Sequence, residues 1–205
     1  MSSVTSNKGG IACFWYSRKR TAGQFEEDEE ELEDHSWITW FCKKRGKNFL
    51  CRVNEDFIKD EFNLNGLRKV VPYYDLALNT ILDEEVPYWI EEEVDDNILK
   101  HSAEMLYGLI HARYILTPRG LKAMSEKFEN ADFGFCPRVL CKNQYCLPVG
   151  ISDKPHKEFI KIYCPNCQDV YDTFQKNKLD GAYVGTTFPH LFYMYFPSIP
   201  TSEVK

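Results

Sequence analysis

The sequence predicts an α+β protein, with an all-helical N-terminal domain followed by a small antiparallel β domain. Three observations carry that expectation. Apolar residues recur at three- and four-residue spacings between residues 36 and 128. After Asn130 the texture changes to Pro, Gly, Cys and β-branched or aromatic residues. Two pairs of cysteines punctuate that second stretch.

Order is expected to begin at Ser36, an N-cap for the bulky run Trp37 to Phe41. Asn54 as N-cap, acids at Glu55 and Asp56, and Phe57, Ile58 and Phe62 on one side predict a second helix that Asn65-Gly66 stops. Pro72 opens a third, with Tyr73, Leu76, Ala77, Ile81 and Leu82 spaced along it and acids at Asp83 to Glu85 near its end. The segment Ile98 to Leu116 carries two apolar stripes, Leu99, Ala103, Leu106, Ile110 and Tyr114 beside Met105, Leu109, Ala112 and Leu116. A helix apolar over so much of its circumference is buried. His111 and Arg113 within it read as hydrogen-bonded structural groups rather than a catalytic pair. Thr117-Pro118 breaks the chain and caps a further helix ending around Phe128. Short strands are expected at Leu147 to Val149, Phe159 to Tyr163 and Val170 to Tyr171.

These elements divide the 205 residues into four parts: a disordered acidic tail over 1–34, a helical domain over 35–130, a β domain over 131–190 and a C-terminal tail over 191–205. The tail assignment rests on the first 25 residues, which lack periodicity, and on Glu26 to Asp34, where eight of nine residues are acidic. Elsewhere the composition is that of a folded protein, 43% hydrophobic and 15% aromatic. No internal repeat is found, no run approaches the roughly 18 apolar residues of a membrane-spanning helix, and Ile11 to Tyr16 is too short for a signal peptide. A soluble chain of the cytoplasm and nucleus, with no membrane partner, is therefore expected, and Arg18-Lys19-Arg20 could assist nuclear import. The net charge of −6 argues against nucleic acid as a partner and favours basic peptides or polyamines.

Eight cysteines in a reducing compartment point to metal rather than disulfides. Cys136-Pro-Arg-Val-Leu-Cys141 is separated by 22 residues from Cys164-Pro-Asn-Cys167, with strand-forming segments between. That is the spacing of a zinc ribbon whose two knuckles converge on one Zn²⁺ per chain through Cys136, Cys141, Cys164 and Cys167. Four protein ligands leave no open position, so the site is structural. Proline fixes the turn in each knuckle, and Arg138, Lys142 and Lys161 are available to offset the surplus negative charge of four thiolates. Cys146 is a rival ligand, while Cys13, Cys42 and Cys51 read as thiols without chemistry. Val139, Leu140, Val170 and Tyr171 flank knuckles of a module too small to bury them all, which suggests a partner surface.

Four strings then resemble one family: Leu106-Tyr-Gly-Leu-Ile-His-Ala-Arg-Tyr-Ile-Leu-Thr117, Asp132-Phe-Gly-Phe-Cys-Pro-Arg-Val139, Tyr163-Cys-Pro-Asn-Cys167 and Asp180-Gly-Ala-Tyr-Val-Gly-Thr-Thr-Phe-Pro-His190. From about Ser36 to Pro197 the sequence is similar to the regulatory β subunits of casein kinase II. The resemblance implies a non-catalytic scaffold that dimerises through its zinc ribbon, joins two catalytic kinase subunits in a heterotetramer of two of each, and modulates activity, stability and substrate recruitment. It places Pro137, Val139, Val170 and Tyr171 at the dimer contact. It also maps an acidic regulatory loop onto Asp83, Glu84, Glu85, Glu91, Glu92, Glu93, Asp95 and Asp96, which would attract basic substrates or polyamines; here Val86 to Ile90 interrupts the acids.

Other family features have no counterpart in this sequence. The aromatic kinase-docking hairpin with its Tyr-Gly-Phe core does not occur before Lys205. Ser2, Ser3 and Ser6 are not followed by acids, and Asp75 stands where the destruction-box-like motif has Arg. Enzyme activity is not expected, since no phosphate-binding glycine loop, kinase catalytic loop or Ser or Cys nucleophile motif is present. The alternative is a zinc-ribbon transcription or interaction module without kinase association, which would require a basic face that the scattered lysines after residue 141 do not form.

Overall fold

A computed structural model describes residues 35–85, 94–173 and 178–197. The expected tail over 1–34 lies outside them, as do Glu91, Glu92 and Glu93 of the acidic loop. Among the described residues are helices α1 (Trp37–Lys43), α2 (Glu55–Lys59), α3 (Glu61–Leu64), α4 (Tyr74–Ile81), α5 (Asp96–Tyr114), α6 (Pro118–Glu129) and α7 (Phe188–Tyr195). Strands β1 (Leu147–Val149), β2 (Lys161–Cys164) and β3 (Asp169–Asp172) form an antiparallel sheet in that order. The protein is thus mixed helix and sheet, and buried side chains from Trp37 to Phe192 join in one hydrophobic cluster.

Helix α1 begins where its cap predicts. Ser36 Oγ accepts from the Thr39 amide at 3.3 Å, and Asp83 satisfies a second orphan donor by accepting from Trp37 N at 2.8 Å. Trp37 stacks on Phe41 with ring centroids 4.8 Å apart, and Phe41 meets Tyr107 of α5 edge-on at 5.4 Å. Thr117 caps α6 by accepting from Gly120 N at 3.2 Å, with Pro118 in the first turn.

The second expected helix is two. Asp60 adopts an extended conformation and its carboxylate accepts from Phe62 N at 3.0 Å, so it caps α3 and in doing so ends α2. The break turns Phe62 to solvent at 84% exposure, whereas Ile58 stays buried. Asn54 precedes α2 without capping it, because its side chain accepts from the Tyr114 hydroxyl instead. Helix α4 starts at Tyr74 rather than Pro72, after Tyr73 turns into the left-handed region at φ 48°. Helix α5 starts two residues before Ile98, where Asp95 accepts from Asn97 N at 2.7 Å, and it ends at Tyr114, leaving Leu116 beyond it and 37% exposed.

Helix α5 is central because its polar side chains supply the hydrogen bonds that irregular neighbouring backbone lacks. Tyr107 Oη accepts from Val53 N and donates to Cys51 O, both at 3.0 Å. Arg113 donates to the carbonyls of Asn63 and Asn65 at 2.5 and 2.9 Å. His111, fully buried, accepts from Cys51 N through Nε2 at 3.0 Å and lies 2.6 Å from Tyr183 O through Nδ1. Both bonds are satisfied only by the neutral ring protonated on Nδ1. Gly108, on the same helix, admits the Tyr183 ring so closely that a Cβ there would lie 2.2 Å from Tyr183 Cγ.

The β segment follows the expected order with small shifts of boundary. Leu147 pairs with Tyr163, and Ile162 pairs with Tyr171. The tail expected from residue 191 begins inside α7, whose Phe188 and Phe192 are fully buried and which packs on β1.

Burial holds the His111 pKa down at about 4, from an ordinary 6.5. Between those values the unfolded chain binds a proton that the folded chain refuses, so stability is complete above 6.5 and falls as pH drops towards 4. The loss reaches about 2 kcal/mol near pH 5. In His111→Gln this dependence is expected to vanish: urea unfolding should show the variant less stable by about 1–3 kcal/mol near pH 7, with the gap closing by about 2 kcal/mol near pH 5.

Candidate metal centre

Two turns bring the cysteines together. In the first, a lone bridge between Phe135 and Tyr145 closes the loop, and Cys136 N donates to Gln144 O at 2.8 Å. A short 3₁₀ turn over Val139–Cys141 follows Pro137, and Lys142 and Asn143 reverse the chain at φ 50° and 59°. In the second, Cys164 ends β2, Gln168 sits at φ 56° and its amide donates to Cys164 O at 2.9 Å, which starts β3 one residue later.

The sulfur atoms of Cys136, Cys141, Cys164 and Cys167 all lie within 4.8 Å of one another. Cys136 and Cys167 Sγ are 3.8 Å apart, which is about the edge of a tetrahedron with metal–sulfur bonds near 2.3 Å. Three of the four residues are buried and Cys167 is half-buried. The residues therefore fit a closed four-thiolate metal site, and no sulfur–metal geometry beyond this is needed to see that a divalent cation would be enclosed. Backbone amides complete the shell: Arg138 N donates to Cys136 Sγ at 3.5 Å, and the Asn166 and Cys167 amides donate to the Cys164 sulfur.

Electrostatics single out Cys167. Burial alone would raise its pKa, but hydrogen bonds from the Tyr171 hydroxyl at 3.2 Å and from the neighbouring thiols outweigh it and bring the thiol down to about 7. Burial pushes the Cys164 thiol up. Of the three cations expected to offset the cluster, Arg138 does so, its guanidinium hydrogen-bonding the Cys167 sulfur and Tyr171. Lys161 is instead committed to Asp172 across the sheet at 2.5 Å. Lys142 is exposed, and no contact between it and a sulfur occurs among the described residues. Cys146 lies beside the cluster and outside it, with its thiol 3.7 Å from Gln144 O and burial raising its pKa to about 12. Cys13 lies outside the described residues, Cys42 is half-buried and Cys51 buried.

The remaining sequence-derived candidates fall in two places. Pro137 is exposed beside Val139 at 91%, Leu140 at 81% and Val170 at 37%, next to half-buried Tyr171. Phe135 and Tyr145 extend this apolar surface, which the cysteine spacing gave no reason to expect. The Tyr171 hydroxyl on Cys167 was also missed, although a tyrosine four residues after the last cysteine on a hairpin strand is a readable signal. Of the acids, Asp83 and Asp95 spend their carboxylates on backbone amides, while Glu84, Glu85 and Asp96 are exposed. Asp75, where the resemblance lacks Arg, holds Arg68 in a two-pronged pair at 2.6 Å.

Helices joined to a three-stranded antiparallel sheet, with a cluster of four cysteines that could hold a metal ion, define a mixed helix and sheet protein with a candidate structural metal site. The sequence profile of the casein kinase II regulatory subunit matches residues 36–205. The chain is 55% identical over 172 residues to the putative casein kinase II subunit beta-4 of Arabidopsis thaliana, an alignment that covers 81% of this chain and 60% of the relative. It is 53% identical over 183 residues to casein kinase II subunit beta-3 of the same plant, covering 84% and 65%. To casein kinase II subunit beta of Schizosaccharomyces pombe it is 48% identical over 187 residues, covering 89% and 80%. The chain belongs to the casein kinase II regulatory subunit family, a family of regulatory and not catalytic subunits. It spans about three fifths to two thirds of the length of the two plant relatives.

If the Tyr171 hydroxyl holds Cys167 as a thiolate, Tyr171→Phe should weaken metal retention by about 10- to 100-fold without unfolding the loaded protein. Competition with a chromogenic chelator measures this; unchanged release would remove Tyr171 from the site.

Proposed function

We propose that the chain is a zinc-stabilised regulatory subunit of casein kinase II, a homodimeric scaffold that binds catalytic subunits and modulates their activity and substrate choice. The observation that carries this reading is the four-sulfur cluster with Val139 and Leu140 exposed on its rim, in a chain of the regulatory subunit family. Zinc suits four thiolates in a tetrahedron, one ion per chain through Cys136, Cys141, Cys164 and Cys167. Pro137, Val139, Val170 and Tyr171 are proposed as the contact between copies, because a module this small leaves them wet otherwise.

The reading includes a helical domain over 35–130 set against the zinc ribbon, with binding of two catalytic subunits per dimer. The acids around Asp83 to Asp96 would draw basic substrates or polyamines by long-range attraction. Its place of action would be cytoplasm and nucleus, where the thiols stay reduced and available to zinc.

Zinc removal and interface substitution test the two structural halves separately. Cys164→Ser, or chelation, should abolish both bound zinc and the dimer, with the sheet unfolding as the metal leaves. Val139→Glu together with Leu140→Glu should keep one zinc per chain and give a monomer by sedimentation. A metal-free dimer overturns the first expectation and an intact dimer in the double variant the second. Calorimetric titration of a casein kinase II catalytic subunit into the zinc-loaded protein then measures docking directly, one catalytic subunit per chain being the expected stoichiometry.

A further inference from the structure

The net charge of −6 hides a local reversal. From the last residue of α1 the chain reads Lys43-Lys44-Arg45-Gly46-Lys47, four cations in five residues. The structure holds them in a built loop. Lys44 N donates to Phe41 O, Lys47 N to Lys44 O and Leu50 N to Lys47 O, with Gly46 at φ +87° making the turn. Lys44 and Lys47 are both fixed on one carboxylate, Glu104 of α5, at 3.1 Å each. They are also fixed over aromatic rings, Lys44 5.3 Å from the Trp40 centroid and Lys47 4.5 Å from that of Phe41. Lys43 and Arg45 are exposed, and no ion pair to either occurs among the described residues. Glu104 therefore anchors Lys44 and Lys47, while Lys43 and Arg45 carry the loop's surplus positive charge towards solvent.

We propose that this basic loop is the docking surface for the acidic run Glu26 to Asp34 of the same chain. The complement is close in number, eight acids against a surplus of at least three cations at the loop. It is also close in space. Only α1 separates the end of the run from the start of the loop, and seven helical residues rise about 10 Å. Nine extended residues reach about 30 Å, so the run can fold back along α1 and overlie the loop. So short a tether gives an effective concentration on the order of millimolar, which lets weak, salt-sensitive ion pairs suffice. Docked, the run would screen this basic loop from other acidic segments.

The experiment is zero-length carbodiimide cross-linking of the full chain, read by mass spectrometry, in an equal mixture of ¹⁴N- and ¹⁵N-labelled protein. Amide links from carboxylates within 26–34 to Lys43, Lys44 or Lys47 are expected within single chains at about 50 mM salt, falling at least about fivefold at about 500 mM. In Lys43→Glu/Arg45→Glu, both changes being at exposed positions, links to the remaining Lys44 and Lys47 should fall by a similar factor while circular dichroism is unchanged. Absent links, links indifferent to salt and to the double variant, or links found only between differently labelled chains each overturn the proposal, the last by assigning the loop to a second copy.

Discussion

Four sulfur atoms confined within 4.8 Å are the constraint on which the C-terminal half depends. As thiolates they repel one another, and as thiols they are poor glue, so the two turns that carry them have a reason to stay together only when a cation lies between them. The sheet alone cannot replace that cation. Its strands are three and four residues long, and β3 buries none of its four side chains. The left-handed residues Lys142, Asn143 and Gln168 are conformations that a free chain avoids, and the metal-directed geometry is what would over-determine them. Backbone amides are aimed at Cys136 and Cys164, and at Cys164 they oppose the burial that pushes its thiol up.

The helical half is organised by a different device. Between Phe49 and Val53 the chain forms neither helix nor strand and, Arg52 apart, is buried, so its amides need partners. Tyr107 and His111, one turn apart on α5, provide them at Val53 and Cys51, and His111 reaches Tyr183 on its other side. A single imidazole thus spans the segment after α1 and the 3₁₀ turn that precedes α7. With Gly108 admitting the Tyr183 ring between them, the same helical turn joins close packing to hydrogen bonds between residues 54 to 72 apart in sequence. The string Leu106 to Thr117 is dense in function of this structural kind, which is why it reads as a motif although none of it belongs to the four-sulfur cluster.

Much of this was legible in the sequence, for identifiable reasons. Ser36 and Thr117 cap amides three residues on with their own side chains, and Gly66 turns the chain through a left-handed backbone, so the helix ends they set needed no tertiary information. The four cysteines were legible because two short spacings around a strand-forming insert have few other uses. What failed depended on competition between partners. Asn54 was expected to cap α2, but a tyrosine sixty residues away takes its side chain. Asp60, read as an interior helical residue, captures the Phe62 amide and splits the helix. Lys161 faces Asp172 because of strand register, which no spacing rule supplies. Helix α5 was started too late because apolar periodicity begins at Ile98, whereas its cap is the preceding Asp95.

The acids show how charge and structure separate in this chain. Asp83 and Asp95 bracket the interrupted acidic segment, and each is used locally, one holding the first amide of α1 and the other opening α5. Removing either would cost a helix terminus before it altered a field. Glu84, Glu85 and Asp96 lie between or beside them, exposed and without such duties among the described residues, so their contribution is to the long-range potential. The basic side is divided in the same way, Lys44 and Lys47 anchored on Glu104 and Lys43 and Arg45 left to solvent. A capped or anchored charge resists salt because it is held at hydrogen-bond distance and partly desolvated, while an exposed one is screened within a Debye length. Ionic strength can therefore change what this surface attracts while leaving the helices that display it in place.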